Sequence, residues 1–308
     1  MQMKRYRLFS EHLKQQFGGR VHKISVDAGF GCPNRNGGRS GAGCLFCDPG
    51  GSGAVGIERE RTVSEQLEAG KEVMTRKYKA RQFMAYFQPF SNTFASPEIL
   101  NKVYAEALSV ADVVGMAVGT RPDCLSDGAL EVLATYHRQT YLWLELGLQS
   151  VHDASLQTLR RGHDYATFLD AYQRAKEHGL QVCVHVILGL PGEDREAMLE
   201  TIDEMARLKV DGIKLHLLHI LEGTPLGELY RQGRAEVLSQ QDYVEIVADA
   251  LERLHPETLI HRLTGDGPRD TLLAPLWSLN KWEVLNAINA EMERRDSQQG
   301  DTCRWLQS

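Results

Sequence analysis

The stretch Tyr141-Leu-Trp-Leu-Glu-Leu-Gly-Leu-Gln149 carries the fold in its alternation. Successive side chains of an extended chain point to opposite faces, so Leu142, Leu144, Leu146 and Leu148 share one face and Trp143, Glu145, Gly147 and Gln149 the other. A Glu and a Gln on an interior strand are costly unless something binds them. A strand that is apolar toward its helices and polar toward a lumen is a barrel strand with a ligand near its carboxyl end, which an ordinary doubly wound sheet does not require. The run 211–218 repeats the theme, with Lys214 and His216 on one face and Ile213, Leu215 and Leu217 on the other.

Outward from 141–148, similar runs at 22–27, 82–88, 112–119 and 181–188 alternate with helical patterns at 62–79, 96–109, 127–138, 165–178 and 193–208. Alternating βα units imply a parallel sheet. The expected fold is therefore α/β, an incomplete (β/α)6 barrel with its site at the carboxyl ends of the strands. Beyond residue 220 the pattern changes to a helix at 239–254, a strand at 258–263, a Gly/Asp/Pro-rich loop from Thr264 to Asp270 and a helix at 278–295. The chain divides into a basic N-terminal extension (1–20), the barrel core (21–220), a C-terminal extension packing on it (221–293) and a loose polar tail (294–308).

The 308 residues are 42% apolar and 25% charged, and Lys+Arg 35 against Asp+Glu 41 leaves a net charge of −6. That excludes a globally basic nucleic-acid coat protein, so any RNA contact must use a local patch. No run approaches the roughly 18 to 20 apolar residues of a membrane span, and the first residues hold no apolar signal core. A cytoplasmic protein without a membrane partner is expected. Six cysteines are too few for a disulfide scaffold in a chain of this length. Cys124, Cys183 and Cys303 are scattered and read as ordinary thiols, whereas Cys32, Cys44 and Cys47 follow the first strand on a Gly-rich loop with the spacing C-x11-C-x2-C.

Glycines permit the reversals that would aim three sulfurs inward. A structural zinc site wants a fourth ligand, and His22 or Asp48 would have to supply it at unusual spacing. Three thiolates suit a 4Fe–4S cluster better, since they hold three irons and leave the fourth open to another ligand.

At this point the residues resemble the radical SAM superfamily, whose usual signature is C-x3-C-x2-C with an aromatic before the last cysteine. Phe46 takes that aromatic position, while the x11 gap departs from the pattern. The runs Gly119-Thr-Arg-Pro-Asp-Cys124, Leu144-Glu-Leu-Gly-Leu-Gln-Ser-Val151, Arg160-Arg-Gly-His163, His185-Val-Ile-Leu-Gly-Leu-Pro-Gly192 and Asp211-Gly-Ile-Lys-Leu-His216 are similar to the YhcC/YtqA-type family. With Gly223-Thr224 they also resemble the radical SAM domain of the Elongator catalytic subunit, and the likeness spans residues 20–285.

The resemblance implies a TIM-like partial barrel in which Cys32, Cys44 and Cys47 hold the cluster. S-Adenosylmethionine bound there is cleaved reductively to a 5′-deoxyadenosyl radical, the electron coming from an external reducing donor. By the same resemblance Glu145 and Gln149 lie at the cofactor's ribose and amino-acid end, Arg161 at its carboxylate, and Gly189 with the run from His185 at its adenine. Phe46, Thr120, Arg121 and Gln88 join them, Gln88 in a segment where many members carry Gly-Gly-Glu. Plainer readings stand beside these: a buried hydrogen-bond network for Glu145 and Gln149, Arg160 in place of Arg161, a βα turn at Gly189, an ion pair between Arg121 and Asp123. Lys214 and His216 are candidate catalytic residues facing substrate, and the odd offset sends His219 elsewhere.

The resemblance further implies a tRNA nucleoside, the wobble uridine, as substrate. Lys4, Arg5, Arg7, Lys14, Arg20 and Lys23, and the run Arg76-Lys-Tyr-Lys-Ala-Arg81, are the residues that would meet phosphates and stack a base. A small metabolite or protein substrate, or a non-catalytic metal-binding module, are the alternatives.

Overall fold

The computed structural model describes residues 5–40, 43–51, 60–265 and 267–306. Lys4, Gly41 and Ala42 of the cysteine loop, Asp266, and Gln307 and Ser308 of the tail lie outside the described residues. The strands are β1 (Val21–Val26), β2 (Gln82–Phe87), β3 (Val113–Thr120), β4 (Tyr141–Gln149), β5 (Gln181–Leu188), β6 (Gly212–Leu217), β7 (Ile220–Leu221), β8 (Leu259–Arg262) and β9 (Leu272–Ala274). The helices are α1 (Phe9–Phe17), α2 (Val63–Tyr78), α3 (Pro97–Leu108), α4 (Asp127–His137), α5 (Asp153–Thr158), α6 (Tyr165–Glu177), α7 (Arg195–Arg207), α8 (Pro225–Arg231), α9 (Gln240–Arg253) and α10 (Lys281–Arg294).

Among the described residues the main sheet runs β1-β2-β3-β4-β5-β6-β8 with every pair parallel. It is a partial barrel, as expected, but with seven strands. The strand at 259–262, assigned by sequence to the C-terminal extension, joins β6 because its apolar Leu259 and Ile260 pair in register with Gly212 and Ile213. Curling is visible in the side chains: Lys23 of β1 reaches Glu145 of β4 at 2.8 Å, although three strand spacings of about 4.8 Å would hold them apart in a flat sheet. Leu142, Leu144, Leu146 and Leu148 pack under the helices in the main core, and Trp143 packs on the lumen side with Phe9.

Besides the short α5, α8, β7 and β9, two features of the chain ends depart from the sequence expectation. Residues 9–17 form a helix because Phe9 and Leu13, four apart, bury one face, and Gly18 at φ +70 ends it in the left-handed conformation that glycine adopts without strain. This α1 packs on both edge strands, β1 and β8, and so closes the seam of the partial barrel at its base. The segment beyond α10 is anchored, correcting the expected loose tail. Gln299 donates to the carbonyls of His255 and Thr258 at 2.8 Å and accepts from the Arg7 amide at 2.9 Å, and Ser297 and Cys303 are buried.

Candidate active site

The cysteine loop leaves β1 at its carboxyl end and returns across the barrel mouth. A hydrogen bond from the Cys32 amide to the Gly38 carbonyl (2.9 Å) closes its first turn, and the Cys47 amide to Cys44 carbonyl contact (3.1 Å) closes its last. Leu45 is pinned from both sides, its amide donating to Leu159 at the end of α5 (2.9 Å) and its carbonyl accepting from Leu226 in α8 (3.0 Å).

Cations converge on the sulfurs. Arg161 points Nη1 at the Cys44 sulfur (3.3 Å) and Nη2 at the Gly147 carbonyl (2.6 Å). Asn34 donates to the same sulfur at 3.2 Å, and Arg121 stands 4.0 Å from it while forking onto Asp123 at 2.9 and 2.8 Å. Buried Arg35 donates to the Cys47 sulfur at 3.2 Å. Burial alone would raise the Cys44 thiol, but Arg161 and Arg121, with hydrogen bonds from Arg161 and Asn34, bring it below the usual range. Gly147 makes this possible: a Cβ there would stand 2.9 Å from the Gln149 amide nitrogen and 3.2 Å from Arg161 Nη2. Among the described residues no three His, Cys, Asp or Glu side chains gather as ligands of one metal ion. The three cysteines instead lie along the wall of one cavity of about 830 Å³.

The cavity floor is charged. Glu145, fully buried, is held by Lys23 (2.8 Å), by His185 Nε2 (3.0 Å) and by Lys214. Lys214 also donates to Tyr86 at 2.9 Å. Burial outweighs the acceptors around these groups: Lys214 is brought down to about 8 and His185 to about 4, and His216 falls well below its usual range. Burial is opposed at Glu145 by Lys214, Lys23 and His185, which together hold the carboxylate ionised.

The cavity brings together Phe46, Gln88, Thr120, Arg121, Glu145, Gln149, Arg161, His185, Lys214 and His216 with the three cysteines. Within it, Gln88 accepts from Ser25 at 2.8 Å and Thr120 shares a hydroxyl contact with Thr93 at 2.7 Å. Gly189 does not line it: at φ +85 it abuts Leu238, and its amide points to the Met198 sulfur. His219 does line it, because β6 ends at Leu217 and strand alternation no longer governs the residues beyond. Arg160 contributes only its carbonyl, to Asn34. Cys124 and Cys183 are buried thiols pushed up by that burial, Cys124 to about 12.

Lys23, Ser25, Tyr86, His261 and Arg262 line the cavity as well and were missed as site residues. The signal for the first two was present, since Lys23 and Ser25 alternate with buried Ile24 and Val26 as the polar and apolar faces of β4 do. The expected N-terminal basic patch is dispersed: Lys23 turns inward to Glu145, Arg5 pairs with Asp296, and Arg7 donates to the Glu257 carbonyl. Residues 76–81 form the last turn of α2 and the short connection to β2, so they lie at the amino ends of the strands, away from the cysteines.

Residues 28–205 match the family described as the Radical SAM superfamily. The chain belongs to the radical SAM superfamily. Residues 210–294 match the Radical_SAM C-terminal domain that accompanies it here. YtqA of Bacillus subtilis (strain 168) is 46% identical over 297 residues, covering 96% of this chain and 92% of the relative. Human Elongator complex protein 3 is 31% identical over 176 residues, 56% of this chain and 32% of that protein. A structure of Methanocaldococcus infernus Elp3 with an N-terminal deletion superposes with a TM-score of 0.72 over 91% of this chain and 64% of that one, at 17% identity, and shares its fold.

Radical SAM proteins use a 4Fe–4S cluster and S-adenosylmethionine, and the donor set fits both. Cys32, Cys44 and Cys47 supply three soft thiolates, the ligand class that selects iron–sulfur clusters. The guanidiniums of Arg35, Arg121 and Arg161 offset their charge in a buried wall. Arg161 Nε and His216 Nε2 are buried without a hydrogen-bond partner, leaving two polar atoms for a polar ligand in the cavity.

Proposed function

We propose that this radical SAM enzyme cleaves S-adenosylmethionine reductively and modifies a tRNA nucleoside, the wobble uridine, in the cytoplasm with electrons from an external donor. The observation that carries the reading is the single cavity that joins the cysteine wall to the Lys214–Glu145 floor. Cys32, Cys44 and Cys47 would hold the cluster, which supplies the electron for cleavage. Arg161, fixed by the Gly147 carbonyl, orients a carboxylate beside Cys44. Gln149 and Thr120 offer neutral donors and acceptors nearby, and Glu145 holds Lys214 and His185 in place rather than standing free for the cofactor. Lys214 and His216 face the space left for substrate.

The tRNA part is supported by the likeness to the Elongator protein; the run Arg76, Lys77, Tyr78, Lys79 and Arg81 is exposed but lies at the opposite end of the strands from the cysteines. Dispersal of the N-terminal basic residues favours a second substrate class, a small molecule taken whole into the cavity. Among the described residues no helix is long and apolar enough to cross a membrane.

The test is anaerobic reconstitution with iron and sulfide, then dithionite and S-adenosylmethionine, with chromatography for 5′-deoxyadenosine. Cluster-dependent 5′-deoxyadenosine is expected, and its absence from iron-loaded protein overturns the radical reading. Binding of unmodified tRNA that weakens steeply with salt separates the first substrate class from the second.

A further inference from the structure

The β6–β8 ladder contains a bulge. Ile213 pairs with Ile260, but the next residue, Lys214, pairs with Arg262, so His261 is the extra residue. Bulges re-aim side chains, and this one turns two consecutive residues of β8 to the lumen. His261 stacks on Phe9 (3.7 Å between ring centres) and meets Trp143 edge-on at 4.5 Å, while Arg262 lines the cavity beside Lys214. Two cations in register on one sheet face repel, more so in a lumen shielded from water.

The nearby carboxylate cannot offset both. Glu145 spends Oε1 on Lys23 and Oε2 on Lys214 and His185, and among the described residues the Arg262 side chain has no hydrogen bond or ion pair. His216 Nε2 beside them is buried without a partner, and the neutral ring can donate from that nitrogen in one of its two tautomers. At Gly265 an added Cβ would lie 3.9 Å from Arg262 Nη1 and 3.4 Å from the His219 ring, so Gly265 brings backbone close to this corner. Among the described residues the corner thus holds cations, with a His216 nitrogen able to donate, in excess of acceptors, on β6 and β8, apart from the wall formed by the loop after β1 that carries the cysteines.

We propose that Arg262, Lys214 and His216 form a subsite for an anionic group of the substrate, a carboxylate or a phosphate. This deepens the radical reading above and rests on it for calling the bound molecule a substrate. A guanidinium presents paired N–H donors that match either oxyanion, and the anion would relieve the repulsion between Arg262 and Lys214. A phosphate would come from a nucleotide and a carboxylate from a small organic acid.

The experiment is calorimetric titration of the cluster-loaded full chain with inorganic phosphate and, separately, with acetate at constant ionic strength. One of the two probes is expected to bind with unit stoichiometry, and which one names the source. Arg262→Gln should weaken that probe at least about tenfold, with Arg262→Lys in between and the exposed control Arg234→Gln unchanged. Binding of neither probe, equal binding by Arg262→Gln, or displacement of the probe by S-adenosylmethionine overturns the proposal. The readout is independent of turnover, so failure of 5′-deoxyadenosine formation in the wild type sinks the radical reading while the titration still decides the subsite.

Discussion

Glu145 on β4 and Lys214 on β6 are ion-paired inside the lumen with 0% and 4% of their side chains exposed. Neither charge has water to fall back on, so removing one partner leaves the others buried and uncompensated. Glu145→Ala is expected to lower the unfolding free energy by about 3–5 kcal/mol, read from urea denaturation. Replacing the pair together, Glu145→Leu with Lys214→Met, should recover part of the loss. An unchanged denaturation midpoint in Glu145→Ala would show that the lumen cations do not depend on it.

Stability should carry a pH signature from Lys214. Burial, aided by Lys23 and Arg262 and opposed by Glu145, lowers its pKa from 10.5 to about 8. The unfolded chain keeps that proton to higher pH than the folded chain does, so this group makes stability rise as pH climbs from about 8 toward 10.5. Denaturation midpoints across that window should lose this upward contribution in Lys214→Met. An identical slope in both proteins rules the assignment out.

Cys44→Ala should fold, since the cysteine loop precedes most of the sheet, yet fail to retain iron after reconstitution. Iron analysis and visible absorbance report it, and full iron content would remove Cys44 from the ligand set.

Gly147→Ala probes the same wall from beneath. Its methyl would crowd Arg161 Nη2 at 3.2 Å and Gln149 at 2.9 Å, shifting the guanidinium off the Cys44 sulfur. Reduced iron retention with little change in the far-UV circular dichroism is expected. Wild-type iron retention would mean that Arg161 does not support the cluster wall.

Gln299→Ala tests the anchored C-terminal segment. It strands the Arg7 amide and withdraws donors from His255 and Thr258, a loss of about 1–3 kcal/mol if one buried group is left unsatisfied. Limited proteolysis should then cleave between α10 and the C-terminus faster. Equal cleavage rates would return this segment to the status of a loose tail.

Much of the site was legible because its signals are local. Polar residues alternating with leucines on β4, the Lys214 and His216 pair on β6 and three cysteines on a Gly-rich loop all lie within short windows, and the cavity brings them together. Lys23 was misread as part of a surface patch because local charge density ignores the strand phase that turns it inward. Gly189 lies off the cavity wall, at φ +85 against Leu238, which no local pattern shows. The helix at 9–17 was missed because its apolar face is only Phe9, Leu13 and half-buried Phe17.

The sequence by itself determined the βα alternation, the parallel sheet and the inward faces of β4 and β6, since these follow from two-residue and helical periodicities along a few residues. Tertiary structure alone decided which charges meet. Lys23 reaches Glu145 only because the sheet curls, Arg262 lies beside Lys214 only because a bulge absorbs His261, and residues 297–303 are held only because they close on both Arg5 and α9. Curl, register and chain-end docking depend on contacts between residues far apart in the chain, and no window of the sequence holds both partners.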